Sequence, residues 1–167
     1  DFNREYICVA PVNMYGKYDN FSLQDGHFIP MIMHRFFQEL SYRHYNPGGK
    51  FEAYGSGMPL RQFLYAGDFA KIILKLLFEY NGSERNIICC NDNEWKIKEV
   101  VHKLIDVMGI NRSELVWLTD KSDGCMKKTV SNEKLKRILK DFNFIEIDEG
   151  LRITYEWFKA NYNNIRK

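Results

Sequence analysis

Three side chains in the first third of the sequence have the types needed for acid–base chemistry and for anion binding. His27 follows an Asp-Gly turn at the predicted start of a helix, and Arg35 lies on the polar side of that helix. Arg61 comes just after a second loop, Gly-Ser-Gly-Met-Pro. We therefore interpret the segment from Pro11 to Arg61 as one site built from two loops and the helix between them.

Each candidate also has a structural interpretation. An imidazole changes its charge near neutral pH, so His27 could act as a general acid, but it could also be a surface histidine that ends a turn. The guanidinium of Arg61 could bind a diphosphate through two hydrogen bonds, or form an ion pair with a carboxylate of the same fold. Tyr54 could stack on a ring or bond to a sugar, or be an ordinary strand aromatic. The functional interpretation requires His27 and Arg61 to face a common cavity.

Neither the cysteines nor the histidines have the spacing of a metal site. Cys89 and Cys90 are adjacent in an apolar run, which predicts core residues, and no pair has the CxxC spacing that zinc favours. We expect reduced, mostly buried thiols, with Cys125 in a polar loop. His27 and His34 are two helical turns apart, too far for one metal on a helix. The sequence therefore predicts no metal site.

The composition limits the class of protein. Apolar residues make up 45% and aromatic residues 15% of the chain, which excludes disordered and collagen-like proteins. Lys and Arg outnumber Asp and Glu by only 24 to 22, so the global charge does not indicate nucleic-acid binding. No run approaches the roughly 18 apolar residues of a membrane helix, and the first residues lack a signal-peptide pattern. We expect a folded cytoplasmic protein with no nucleic-acid or membrane partner.

The elements that must position these side chains alternate between strands and helices. The run from Tyr6 to Pro11 is apolar without a break, as in a strand buried on both faces, and Gly16 lies in the polar loop after it. Ligands of α/β sheets bind at such strand ends. The other elements predicted from periodicity and capping residues are helix 28–42, strand 51–54, extended segment 61–65, a helix from Asp68 to Tyr80, strand 86–90, helix 97–108 closed by Gly109, strand 115–118, a helix of about nine residues opened by Ser131 or Asn132, and a helix capped by Asp148.

This order of elements is that of a layered α/β sheet. The helix from Asp68 is apolar on more than one side, which is typical of a helix between two layers. The first strand needs neighbours on both sides if it is buried. We therefore expect the chain to be a fragment of a larger α/β domain.

Four motifs together resemble one enzyme family. They are PVNMYGKYDNF, DGHFIP, YGSGMPLRQFLYAGD and KSDGCMKKTVSN. With these motifs in order, the chain resembles the second half of the GDP-L-fucose synthases, nucleotide-sugar epimerase/reductases of the extended short-chain dehydrogenase type. The resemblance implies an α/β fold that is the C-terminal part of a Rossmann-type enzyme, with a few parallel strands and a small mixed α/β lobe. In residues 1–167 it implies a substrate-binding lobe, about 17–66 and 91–167, and remaining Rossmann elements, about 5–16 and 67–90.

The resemblance also implies a catalytic residue and a cofactor-binding stretch. His27 matches the histidine that supplies a proton during epimerisation at C3 and C5 of the sugar, and it also lies beside the cofactor. The residues that match the stretch along the nicotinamide end of NADP are Pro11, Val12, Asn13 and Met14.

Five further positions match substrate contacts of the family. Arg61 matches the arginine that holds the diphosphate of the nucleotide, with Arg35 as its assistant, and Lys128 matches a basic residue near the phosphates. Asp123 lies in the loop that covers the nucleotide. Tyr54 stands where the family more often has tryptophan.

Two motifs of hydride transfer are absent from the sequence. There is no Gly-rich pyrophosphate turn, and the Tyr-x-x-x-Lys spacing occurs only at Tyr155 and Lys159, on an amphipathic helix, which we interpret as coincidence. The resemblance therefore implies that NADPH is held mainly by a missing N-terminal half, that this half and a GDP-sugar are the partners, that the full-length protein is a homodimer, and that the chain alone has no turnover. Two alternatives stay open: a non-catalytic nucleotide-sugar-binding module, and another sugar-nucleotide epimerase or dehydratase.

Overall fold

A computed structural model describes residues 6–167; Glu5, at the start of the predicted segment 5–16, lies outside the described residues. Within this range short strands alternate with helices. The strands are β1 (Cys8–Pro11), β2 (Asn13–Tyr15), β3 (Phe51–Tyr54), β4 (Leu60–Arg61), β5 (Phe63–Tyr65), β6 (Asn86–Cys89), β7 (Trp95–Lys96), β8 (Leu115–Leu118) and β9 (Lys127–Lys128). The α-helices are α1 (Phe28–Tyr42), α2 (Ala66–Phe78), α3 (Ile97–Met108), α4 (Glu133–Ile138) and α5 (Ile147–Asn161).

Most strand pairs are parallel. β1 pairs with β6, β2 with β5, and β3 with β8, each in parallel. β4 lies between β7, which is antiparallel to it, and β9, which is parallel. Parallel neighbours need a crossover connection, and α2 is part of the one between β1 and β6. The predicted α/β class, with a few parallel strands and a small mixed sheet, is confirmed.

β1 is more exposed than the sequence predicts. In the described part of the chain it pairs only with β6, and Cys8, Ala10 and Pro11 are exposed. Ile88 on the neighbouring strand is 38% exposed. The prediction of a strand buried on both faces was wrong for residues 6–167, because one edge and one face of β1 have no neighbour there.

One side of α2 is uncovered as well. Ile72 and Leu76 are buried in a hydrophobic cluster, whereas Leu74, Leu77 and Phe78 are exposed. The prediction of a helix packed between two layers holds for one layer only within residues 6–167. An exposed apolar helix face of this kind is typical of a surface that packs against another part of a protein.

Two helix starts differ from the prediction. The N-caps of α2 and α5 are Tyr65 and Glu146, and Asp68 and Asp148 lie in the first turns. Asp68 is buried, and its Oδ2 accepts a hydrogen bond from the backbone N–H of Ile145 at 2.7 Å. Asp68 therefore joins two distant segments instead of capping its own helix.

The other helix bounds agree better with the sequence. α1 and α3 have the predicted bounds, and Gly109 closes α3 with a φ of 71°. α4 has six residues after its N-cap Asn132, fewer than predicted. It ends early because Phe142 and Phe144 fold back onto the hydrophobic cluster that contains α2.

Two hydrophobic clusters stabilise the fold. The larger includes the buried faces of α1, α3 and α5, and the smaller joins α2, β6 and α4. The division of the chain into a substrate-binding lobe and Rossmann elements stays a prediction. No helix among the described residues is long and apolar enough to cross a membrane.

His34 links three segments inside the larger cluster. Its Nδ1 lies 2.7 Å from the carbonyl oxygen of Phe21, so Nδ1 must carry the proton and donate it. Its Nε2 lies 3.2 Å from the hydroxyl of Tyr162 and 3.2 Å from Nε2 of Gln38, and it accepts in the neutral ring. Burial lowers the pKa of His34 below its ordinary value, and the positive charge of Lys167 lowers it further. The native state therefore favours the neutral imidazole.

This environment predicts a pH-dependent stability. Because the pKa of His34 is lower in the folded than in the unfolded chain, its contribution is fully present above the unfolded pKa of about 6.5 and is lost as the pH falls below that value. The free energy of unfolding in urea should be lower at pH 5.5 than at pH 7.5. His34→Gln should remove part of this difference, whereas His44→Gln, at an exposed position, should retain it. An identical pH dependence in all three proteins would contradict the prediction.

Candidate functional site

A cleft at the carboxyl end of β3 brings together four of the residues singled out in the sequence. α1 contributes Arg35, β3 ends at Tyr54, β4 contributes Arg61, and the loop before β9 contributes Asp123. Apolar side chains form the remaining wall; they are Phe28, Met31, Pro59, Phe63 and Ile97. The sequence-predicted substrate contacts, except Lys128, therefore line one cleft.

Arg35 and Tyr54 contact each other in this cleft. The guanidinium carbon of Arg35 lies 4.4 Å from the centre of the Tyr54 ring, which is a cation–π contact. The Nε of Arg35 is buried and has no hydrogen-bond partner among the described residues. A buried donor without a partner is uncommon in native structures. The part of the chain that the structure describes therefore leaves one donor of the Arg35 guanidinium unsatisfied.

Arg61 is held by its own strand. Its Nη1 donates to the carbonyl oxygen of Leu60 at 2.8 Å. No carboxylate of residues 6–167 forms an ion pair with Arg61 or Arg35, so the alternative of an internal ion pair is not realised there. In the parallel pairing of β4 with β9, Arg61 lies opposite Lys128. Arg61 and Lys128 are therefore neighbours in the sheet, although Lys128 lines the adjoining cleft.

The Gly-Ser-Gly turn and the loop around Asp123 are joined by one carboxylate. Oδ1 of Asp123 accepts from the backbone N–H of Ser56 at 2.6 Å, and Oδ2 accepts from the Ser56 hydroxyl at 2.7 Å. These bonds lower the pKa of Asp123 below its usual value. Gly57 has a φ of 69°, and a Cβ there would lie 2.7 Å from the ring of Trp117. Sequence reasoning did not anticipate Ser56, because one serine in a loop carries no signal.

A second cleft contains His27. It is lined by the stretch Pro11–Met14, by His27 at the N-cap of α1, and by Lys128. The cofactor-binding stretch predicted from the resemblance and the predicted proton donor thus lie together. The side chain of His27 is 77% exposed, so a ligand can reach it.

The two clefts meet at Asn13. Asn13 lines both of them, and its Nδ2 donates to the backbone carbonyl of Gln62 at 2.8 Å. His27 and Arg61 therefore line adjacent clefts and not the one common cavity that the sequence interpretation required. Asn13, held by this hydrogen bond, is the lining residue that the two clefts share.

A buried glutamine that the sequence did not single out fixes the basic strand. Gln62 donates to the carbonyl oxygens of Asn91 and Val130 and accepts from the Val130 N–H at 2.8 Å. Val130 is two residues after Lys128, so this side chain helps to position β9. A glutamine in an extended segment is common, so nothing in the local sequence indicated this role.

The remaining candidates do not form a catalytic group. Tyr155 is buried, and burial raises its pKa despite the ammonium of Lys159, which lies 4.6 Å from its ring. A proton-donating tyrosine needs the opposite shift, which agrees with coincidental spacing. Burial also raises the pKa of the Cys89 and Cys90 thiols to about 11 each.

The expectation of mostly buried thiols holds for Cys89 and Cys90 and fails for Cys8, while Cys125 was already placed in a polar loop. All four are free, but Cys8 and Cys125 are exposed. Cys8 is exposed because the outer edge of β1 has no neighbour among the described residues. Within residues 6–167, no group of three His, Cys, Asp or Glu side chains is placed to hold a metal ion.

Comparison with known proteins gives a consistent result. Residues 1–89 match the NAD dependent epimerase/dehydratase family. A probable GDP-L-fucose synthase of Drosophila melanogaster is 34% identical over 99% of this chain and 52% of its own length. A GDP-L-colitose synthase of Yersinia pseudotuberculosis is 25% identical over 98% of this chain and 51% of its own length. The chain thus spans about half the length of the curated relatives it matches.

A solved structure supports the same assignment. The crystal structure of a GDP-L-fucose synthetase from Naegleria fowleri bound to NADP superposes with a TM-score of 0.86 and 36% sequence identity, over 96% of this chain and 49% of that one. The resemblance to GDP-L-fucose synthases is therefore confirmed over nearly the whole chain. The matched family model, the relatives and the shared fold establish that the chain belongs to the NAD-dependent epimerase/dehydratase family.

Proposed function

We propose that this chain is the substrate-binding half of an NADPH-dependent GDP-L-fucose synthase, which converts GDP-4-keto-6-deoxy-D-mannose to GDP-L-fucose in the cytoplasm. The observation that carries the proposal is the pair of guanidinium groups, Arg35 and Arg61, on one cleft without a carboxylate partner among residues 6–167. Charged groups that lack an internal partner are suited to a charged ligand. Three of the compared proteins are named for chemistry on a GDP-sugar.

The diphosphate would bind between the two arginines. Arg61 would offer the fork of its guanidinium to two phosphate oxygens, and the guanidinium of Arg35, which lines the same cleft, would donate a further hydrogen bond. Lys128, opposite Arg61 across β4 and β9, would add a positive charge. Tyr54 is 52% exposed at the end of β3 and would pack against the nucleotide while Arg35 stacks on its other side. Asp123 would hold the covering loop in place through Ser56, and stays a predicted substrate contact.

His27 would supply a proton to the sugar. Its position at the N-cap of α1 puts the exposed imidazole at the mouth of the cleft that adjoins the arginine cleft. A sugar on a diphosphate held by Arg61 could extend past Asn13 to His27, because Asn13 lines both clefts. Asn13 would thus separate the phosphate-binding side from the side where the carbon atoms change configuration.

The residues of this chain fit one end of NADPH. Pro11–Met14 form a strand end that opens on the same cleft as His27, which suits a flat ring lying against backbone. The sequence offers no Gly-rich turn for the pyrophosphate, so Pro11–Met14 would contact only the nicotinamide end. When bound, NADPH supplies a hydride to the 4-keto group.

The other half of the enzyme would cover the surfaces that are open here. β1 has one unpaired edge in the described part of the chain, and Leu77 on α2 lies beside Ile7 and Val9 at an apolar groove. An N-terminal half with further parallel strands would extend the sheet at β1 and bury this groove. The whole protein would then form the homodimer that the resemblance implies.

Two measurements on the purified chain test the proposed function. Titration calorimetry should detect binding of GDP, since the cleft that binds the diphosphate lies within residues 6–167. NADPH absorbance should stay constant when the chain is mixed with GDP-4-keto-6-deoxymannose, because the groups for hydride transfer are absent. Co-expression with the N-terminal half of the Naegleria fowleri relative should give a complex that oxidises NADPH.

The alternatives give different results. A chain that oxidises NADPH by itself would contradict the assignment of the hydride machinery to the other half. GDP binding with no activity in any such complex would favour a non-catalytic nucleotide-sugar-binding module. Absence of GDP binding by a chain with a cooperative unfolding transition would contradict the role of the two arginines.

A further inference from the structure

The loop between β2 and α1 has a rigid, hydrogen-bonded shape. The Asn20 side chain accepts from the N–H of Ser22 at 3.1 Å, and the carbonyl of Ser22 accepts from the N–H of Gly26 at 3.1 Å. A Cβ on Gly26 would lie 2.4 Å from that same carbonyl oxygen, so only glycine fits. The N–H of Phe21 donates to the carbonyl of Arg166 at 2.9 Å, which ties the loop to the C-terminal segment. The hydrogen bonds that hold this loop thus involve the Asp19 side chain at one point only, where it accepts from the backbone N–H of Asn20.

Strain is present at the residue just before Asp19. Tyr18 has a φ of 66°, which is rare for a bulky residue that is not glycine. Its ring centre lies 4.7 Å from that of Trp157, a contact that helps to maintain this conformation. Strained backbone persists where the surrounding structure fixes it, and it is often found at functional sites.

Asp19 and His27 form a carboxylate–imidazole pair. Oδ1 of Asp19 lies 3.9 Å from Nδ1 of His27 and accepts from the N–H of Asn20 at 2.7 Å. The Asp19 side chain is 16% exposed, and in the described part of the chain no lysine or arginine forms an ion pair with it. Burial raises the pKa of Asp19, while the Asn20 N–H and the positive charges of His27 and Arg166 oppose this shift. The largely buried carboxylate of Asp19 therefore has the imidazole of His27 as its ion-pair partner in the described part of the chain.

From this geometry we propose that Asp19 is a positioning residue for His27: its carboxylate, 3.9 Å from Nδ1, attracts the protonated ring electrostatically and favours the orientation in which Nε2 faces the cleft lined by Pro11–Met14. The inference rests on the proposed role of His27 as proton donor. A carboxylate behind the imidazole sets the orientation of the ring and places a negative charge beside the nitrogen that must carry a proton. Lys128 lines the same cleft and places a positive charge on its wall.

Asp19→Asn is a sharp test because it preserves the loop. Asparagine keeps an Oδ1 that can accept from the Asn20 N–H, but it removes the charge that faces His27. The experiment uses the full-length protein that carries this chain, in D2O, with GDP-4-keto-6-deoxymannose. Mass spectrometry measures the rate at which deuterium enters the epimerised carbons, and thermal unfolding checks that each variant is folded.

The single variant should affect proton delivery and leave substrate binding intact. Asp19→Asn should lower the rate of deuterium incorporation on the order of tenfold to a hundredfold, a part of what a general acid contributes. The KM for the nucleotide sugar should stay within about twofold, because Asp19 lies outside the arginine cleft. Asp19→Glu should restore part of the rate. Glu156→Gln, which removes an exposed carboxylate from α5, should have no effect.

A double substitution separates positioning from general structure. In the His27→Asn background, Asp19→Asn should cause no further loss, because the group through which Asp19 acts is gone. Equal losses in both backgrounds, or a wild-type rate for Asp19→Asn, would overturn the inference while the proton-donor role of His27 stands. A wild-type rate for His27→Asn alone would instead overturn the proposed role of His27, and the inference with it.

Discussion

Arg61→Ala is expected to weaken the binding of GDP by about a hundredfold, which corresponds to about 3 kcal/mol. The Arg61 guanidinium lines the cleft and forms no ion pair within residues 6–167. Its loss therefore removes a charged hydrogen-bond donor to the diphosphate without breaking an ion pair inside the protein. Titration calorimetry with GDP and with guanosine separates the phosphates from the base. The affinity for guanosine should not change, because guanosine has no phosphates.

Two further variants make this result specific to the guanidinium at position 61. Arg61→Lys keeps the charge but loses the planar fork, so it should weaken GDP binding by about tenfold. Arg152→Ala removes an exposed arginine that pairs with Glu149 on α5 and should bind GDP as the wild type does. If Arg61→Ala weakened GDP and guanosine equally, Arg61 would not contact the diphosphate.

Phe158→Ala is expected to lower the free energy of unfolding by about 3 to 5 kcal/mol, the usual cost of such a truncation in a packed core. Phe158 is fully buried, and its ring centre lies 4.8 Å from that of Phe21, 5.2 Å from that of Phe37 and 5.4 Å from that of Tyr162. Phe37 lies on α1, Tyr162 follows the end of α5, and Phe21 lies in the loop before α1. A cavity at Phe158 would therefore weaken the packing of all three segments. Urea unfolding measured by tryptophan fluorescence gives the change.

The same substitution at Phe78 is the matched control. Phe78 lies at the end of α2 and is 76% exposed, so Phe78→Ala should change the free energy of unfolding by no more than about 0.5 kcal/mol. Phe158→Leu should cost less than Phe158→Ala because it leaves a smaller cavity. Equal effects of alanine at positions 78 and 158 would show that the larger cluster does not dominate stability.

The two best-predicted helices depend on local signals. α1 and α3 have their predicted bounds because apolar positions recur at helical spacing and because a glycine ends α3. For α2 and α5 the predicted capping aspartates lie within the first turn of the helix instead. A carboxylate is favourable both at the N-cap and in the first turn of a helix. Asp68 lies in the first turn, where it accepts a hydrogen bond from the backbone N–H of Ile145, far away in the sequence.

The burial of the first strand was not predictable from the chain alone. An apolar run shows that a strand is suited to burial, but the neighbours that cover it come from elsewhere in the protein. Cys8 and Ala10 are exposed because residues 6–167 provide only β6 as a partner for β1. The error therefore agrees with the finding that the chain spans about half the length of its curated relatives.

By itself the sequence determined the α/β class, the family and the types of residue available for chemistry, because motifs and periodicity are properties of neighbouring residues. Only the tertiary structure decided which of these residues meet. The register of β4 with β9 places Arg61 opposite Lys128, and Asn13 divides the predicted cavity into two clefts. The fold of the loop between β2 and α1 likewise brings Asp19 and His27 together. These arrangements rest on contacts and backbone conformations that the local sequence does not specify, and so the spacing of motifs could not give them.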